Sequence, residues 1–137
     1  MKKLFLAAAV VCVVFLCGSA FADVVGENDE GIKAISDPIM DNILAGFETS
    51  NYSKYSKDFS ESLKSQMSEE IFLQTIERLQ NVLGDYESRR YLGFLNRDGM
   101  TLVLWKSRYE KMDSDVLIKL TLSRNGRKNE VEGLYFE

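Results

Sequence analysis

Asp58 is the residue best placed to do chemistry in this chain. It stands next to Phe59 and about one helical turn from Tyr55, which groups a carboxylate, a phenol and an aromatic ring. A carboxylate in apolar surroundings is a proton-transfer base, and tyrosine hydroxyls assist as hydrogen-bond donors, the arrangement used by ketosteroid isomerase. An isomerase- or dehydratase-type enzyme built on this sequence would therefore use Asp58 as its base. Arg90 is the second candidate, because a guanidinium on an aromatic sheet face receives the carboxylate or phosphate of a ligand. The same arginine could instead pair with a helix carboxylate such as Asp58. The third group, Tyr52, Tyr55, Phe59, Leu92, Phe94, Trp105 and Tyr109, is of the types that line a small-molecule cavity and equally of the types that fill a core.

The missing residue types narrow the chemistry further. The 137 residues include no histidine, and both cysteines, Cys12 and Cys17, lie near the start of the chain. No Ser-His-Asp triad, Cys-His pair, zincin motif or histidine-ligated zinc site can be built from such a chain. No catalytic set, cofactor or metal is assigned, and the expectation is binding rather than catalysis.

The elements that must position these residues follow a signal-like start. Lys2 and Lys3 precede an apolar run over residues 4–16, and Ala20-Phe21-Ala22 places small residues where a signal peptidase reads them. Residues 1–22 are expected to be a secretory signal peptide, cleaved between Ala22 and Asp23. A thirteen-residue apolar helix would rise about 20 Å, short of the roughly 30 Å hydrocarbon core of a bilayer. Cys12 and Cys17 follow Val11 and Leu16, not the small residue that lipoprotein processing normally requires. Without residues 1–22 the chain keeps 115 residues, no cysteine, and 15 basic against 21 acidic side chains, a net charge of −6. The expected protein is periplasmic or secreted, has no stable membrane span after signal removal, and lacks the basic footprint of a nucleic-acid binder.

Within the mature chain, residues 23–31 are acidic and glycine-containing and read as a flexible leader, followed by a single domain over residues 32–137. Ile32, Ile35, Ile39, Ile43 and Phe47 share one helical face across Pro38, which predicts one kinked helix or two collinear pieces over about 31–47. Tyr52, Tyr55, Phe59, Leu63 and Met67 predict a second, broken helical segment. Ser68 is a natural N-cap for a third helix, with Glu69 and Glu70 in its first turn and Gly84 at its end. Beyond Gly84 the period changes to two: strands are expected over 86–97, 100–110, 115–123 and 128–136, with hairpin turns at Asp98-Gly99 and Asn125-Gly126. A two-residue first turn sets Leu92 opposite Trp105, Phe94 opposite Val103 and Arg90 near Ser107, all on the face that carries Tyr109. The resulting class is α+β, N-terminal helices packed on a four-stranded antiparallel sheet.

The Ile32 helix, Asn51-Tyr52, Asp58-Phe59, Leu63-Lys64, Ser68-Glu69-Glu70, Leu83-Gly84-Asp85-Tyr86 and the closing Val131-Glu132-Gly133-Leu134-Tyr135-Phe136 together resemble a family of exported bacterial domains of unknown function. That family belongs to the nuclear-transport-factor-two-like, or cystatin-like, superfamily. The resemblance spans nearly the whole mature chain and implies a cone-shaped fold with a strongly curved sheet. Members of the superfamily include ligand-binding domains, isomerases, dehydratases, polyketide cyclases and dimeric interaction modules, so the resemblance bears on fold more than on function. The chain departs from the catalytic members in having no histidine. The expected role is an exported, non-catalytic domain holding a small apolar or amphipathic ligand between helices and sheet, with Arg90, Trp105 and Tyr109 among its contacts. The alternative is a homodimer or other protein interaction through the outer sheet face, where Leu102, Leu104 and Leu117 fall.

Overall fold

The computed structural model describes residues 22–137, and the expected signal peptide lies outside the described residues except for Ala22. Among the described residues, four helices precede four strands: α1 Asp29–Glu48, α2 Tyr52–Tyr55, α3 Glu61–Gln66, α4 Glu69–Leu83, β1 Tyr86–Arg97, β2 Met100–Tyr109, β3 Val116–Asn125 and β4 Lys128–Phe136. Each helix begins on a side-chain cap, with Asn28, Asn51, Ser60 and Ser68 accepting from the backbone N–H three residues on. Helix α1 runs unbroken through Pro38, so its buried stripe of Ile32, Ile39, Met40 and Ile43 forms one surface. Gly84 ends α4 at φ 71, a conformation that favours glycine.

Residues 23–31, expected to be flexible, are instead tied to the domain. Asp23 exchanges two backbone hydrogen bonds with Arg124, Val25 is buried in the core, and α1 already begins at Asp29. The Arg124 guanidinium also donates to the Val25 carbonyl at 2.6 Å, which fixes the segment from a second side.

The sheet is an antiparallel meander in the order β1-β2-β3-β4. Its first hairpin turns at Asp98 and Gly99, both at positive φ, as a two-residue turn between right-twisted strands demands. In the second, Asn125 pairs with Lys128, so the turn consists of Gly126 and Arg127 rather than Asn125 and Gly126. Gly126 takes the positive φ of 65 at its first position, the requirement of a type II′ turn. The pairing skips Glu87 and Leu92 in β1 and Glu132 in β4, three bulges that bend and twist the strands.

The helices cover one face of the sheet. A large cluster joins Ile32, Met40, Ile43, Tyr55 and Phe72 from the helical half to Val103, Trp105, Ile118, Leu120 and Val131 from the strands. Phe72 holds α4 in place through rings on three neighbours: it stacks on Tyr55 at 4.4 Å and lies 5.5 Å from Tyr52 and 6.0 Å from Phe47. Gly46 lets α1 and α2 meet, since a Cβ there would stand 2.6 Å from the Tyr55 backbone nitrogen. A smaller cluster of Leu83, Tyr109 and Val116 sits at the other end of the sheet. Among the described residues, no helix is long and apolar enough to cross a membrane.

Candidate functional site

A partly open cavity of about 490 Å³ lies at the seam between the two clusters. Its walls are the C-terminal halves of α1 and α4, the start of β1, the end of β2 and Phe136 of β4. Leu44, Phe47, Ile76, Leu83 and Phe136 supply apolar lining, and Asp41, Glu48 and Asp85 bring carboxylates. The seam arises because α1 and α4 contribute their buried stripes to the large cluster while Leu83 of α4 turns to the small one. The volume falls within the roughly 300–1,000 Å³ of small-molecule sites.

The bulge at Leu92 decides which side chains of β1 face inward. Phe94 stands opposite Val103, as the hairpin predicts, but past the bulge Tyr91 rather than Leu92 is opposite Trp105, and Arg89 rather than Arg90 is opposite Ser107. The expected inward positions of Arg90 and Leu92 are therefore corrected: Arg90 is exposed, and Leu92 is 49% exposed. The one-residue insertion exchanges the two faces of the strand for every residue between the two β1 bulges. Gly93, at φ 153, is the sequence signal that could have revealed it, because glycine inside a strand often marks a bulge.

Arg89 thus takes the place foreseen for Arg90, and its partners are helix carboxylates. Its guanidinium stands 2.7 Å from Asp41 Oδ1 and 3.6 Å from Asp37 Oδ1, and lies over the Trp105 ring at 5.9 Å. Burial alone would lower its pKa, but the hydrogen bond to Asp41 and the neighbouring Tyr86 hydroxyl outweigh that, and the group is held above its ordinary value. Trp105 Nε1 donates to the same Asp37 Oδ1 at 3.3 Å. Tyr86 and Tyr109, paired across β1 and β2, meet edge to face at 5.6 Å on the cavity wall. Burial pushes the Tyr109 phenol well above its ordinary pKa, with Tyr86 adding to the shift, so Tyr109 is a neutral donor at physiological pH.

Of the side chains singled out in the sequence, Tyr109 lines this cavity. Tyr55, Phe59 and Trp105 are packed in the large cluster, each with 3% exposure or less, and Phe94 packs against it. Tyr52 borders the same cluster and donates its hydroxyl to the Met67 carbonyl at 2.7 Å. Asp58 is half-buried in the connection between α2 and α3, where its carbonyl accepts from Val131 N at 2.7 Å, and it is not part of the cavity wall. Tyr86, Arg89 and the carboxylates Asp41, Glu48 and Asp85 are wall residues that sequence reasoning did not single out for a site. Among the described residues, no group of three His, Cys, Asp or Glu side chains is arranged to hold a metal ion.

Comparison with known proteins finds no matching family model, no matching curated protein and no matching solved structure.

Proposed function

We propose that the chain is an exported, non-catalytic binding domain that holds a small apolar or amphipathic ligand between its helices and its sheet. The observation that carries this reading is the partly open cavity of about 490 Å³, apolar on several walls and bordered by a few polar groups. The fold is read as the cone-shaped, nuclear-transport-factor-two-like arrangement, for which the three bulges supply a source of curvature. Export rests on the basic, apolar and small-residue pattern of residues 1–22 and places the mature protein in a periplasm or outside the cell. Two measurements test the proposal. Native mass spectrometry of the exported protein should give a chain that starts at Asp23 and carries a mass excess released on denaturation. An uncleaved amino terminus counts against export, and a bare mass under gentle ionisation counts against a resident ligand.

A second reading, self-association through the outer sheet face, is favoured by a specific exposure. Leu95 and Tyr135 are 54% and 61% exposed, and their cross-strand partners Leu102 and Lys119 belong to the face away from the helices. Replacing Leu95 with Glu should then shift sedimentation from dimer to monomer, whereas a wild-type protein that sediments as a monomer sinks the idea of a homodimer.

A further inference from the structure

The cavity wall is electrically one-sided. Asp41, Glu48 and Asp85 are its carboxylates, and Arg89 is the single cation among the lining residues. Arg89 is already engaged by Asp41 and Asp37, so an anionic ligand would have to displace a charge-assisted bond of 2.7 Å to use it. Glu48 and Asp85 have no cationic side chain within ion-pair distance among the described residues. At the rim, Glu110 and the Lys111 stem lie beside Gly84, and the Glu110 carboxylate accepts from Asp85 N at 3.3 Å.

The backbone adds to the same sign. The last turn of α1 reaches the cavity through Ala45, Phe47 and Glu48, and the last turn of α4 through Gln80 and Leu83. Helix C-termini carry partial negative charge, usually complemented by Lys or Arg in the last turn. Neither of these two helices has a basic residue there. Two helix ends with no basic residue in their last turn, two carboxylates outside any ion pair among the described residues and the rings of Tyr86 and Tyr109 therefore border one cavity. Asp85 accepts from Gln80 Nε2 at 3.3 Å, a neutral partner that leaves its charge in place, and aromatic rings attract cations as well.

We propose that this cavity takes a small organic cation, an ammonium group attached to an apolar body. The apolar part occupies the walls formed by Leu44, Ile76 and Leu83, and the cationic head lies toward Glu48, Asp85 and the two tyrosines. The inference rests on reading the cavity as the binding site and adds the charge of what enters it. Low ionic strength is the right condition for a test, because exposed carboxylates act over about 10 Å at 0.1 M salt and over less when salt rises.

Three probes with one eight-carbon chain separate the charge from the apolar contribution: octyltrimethylammonium, octyl sulfate and octyl glucoside, titrated below micelle formation and followed by the NMR signals of Tyr109 and Leu83. Octyltrimethylammonium should move these signals at roughly tenfold lower concentration than either other probe, a preference that declines as salt is added. Glu48→Gln combined with Asp85→Asn should remove most of that preference while leaving the octyl glucoside titration in place. If octyl sulfate or octyl glucoside moves the same signals at equal or lower concentration, the cationic inference is overturned and the cavity remains the binding site. If none of the three moves them, both readings fall together.

Discussion

Arg89 is where charge, aromaticity and packing meet, and its energetics follow from its surroundings. Its side chain is only 15% exposed, so the ion pair with Asp41 is less screened on the arginine side than a fully exposed pair would be, although Asp41 itself is largely in water. The guanidinium over Trp105 and the buried aliphatic stem add contact that alanine cannot replace. Arg89→Ala is expected to lower the unfolding free energy by about 1–2 kcal/mol in urea titration, while Arg90→Ala, one residue on and exposed, changes it by less than about 0.5 kcal/mol. Equal effects would contradict the bulged register. Ser36 presents the opposite case: its hydroxyl is fully buried on α1 and has no hydrogen-bond partner among the described residues. A buried donor without a partner loses its hydration and gains nothing in return, so Ser36→Ala should be neutral or stabilising by up to about 1 kcal/mol in the same assay.

At the scale of elements, β1 is the part whose behaviour is hardest to read from residue types alone. Its bulges leave Arg89 and Tyr91 inward, with Tyr91 donating to Asp29 Oδ1 at 2.8 Å and meeting Trp105 at 6.5 Å. Gly93 makes the second bulge affordable, because φ 153 is open to glycine and strained for any residue with a Cβ. Nothing lies within 4 Å of where that Cβ would be, so the cost of Gly93→Ala is conformational rather than steric. Gly93→Ala is expected to destabilise by about 1–3 kcal/mol, measured as a lower denaturation midpoint. An unchanged midpoint would mean that the strand tolerates another register. Helix α4, by contrast, was legible nearly residue by residue, while α1 begins earlier than expected and the broken segment after it divides into α2 and α3. Ser68 caps α4, Gly84 ends it, and the stripe of Phe72 and Ile76 is buried as its spacing requires. Pro38 shows the limit of local rules, since the continuous apolar face of α1 carries the helix past a residue that usually breaks one.

For the molecule as a whole, buried phenols set the alkaline limit of stability. Tyr55 and Tyr109 are buried in the two separate clusters, and burial raises both well above the ordinary value of about 10. Above pH 10 the unfolded chain releases phenolic protons that the folded chain retains, so the unfolded state is favoured as pH rises. The stabilisation by neutral phenols is thus complete below about pH 10 and is lost as pH climbs through the raised native values. Alkaline unfolding should coincide with the appearance of phenolate absorbance, and Tyr109→Phe should move the transition to higher pH. Phenolate forming while the fold persists would contradict the burial. The sequence alone determined the chain's halves, the Ser68 cap, the first hairpin turn and the alternation of β2 and β3, because each depends on residues close together in the chain, and its composition excluded imidazole chemistry. Tertiary structure decided that Arg89 rather than Arg90 turns inward, that Asp23 and Val25 are held by Arg124, and that the open space lies between the ends of α1 and α4. A bulge exchanges the faces of a strand by a single inserted residue, and a cavity is the space left between elements distant in sequence, so neither is written in the spacing of any one segment.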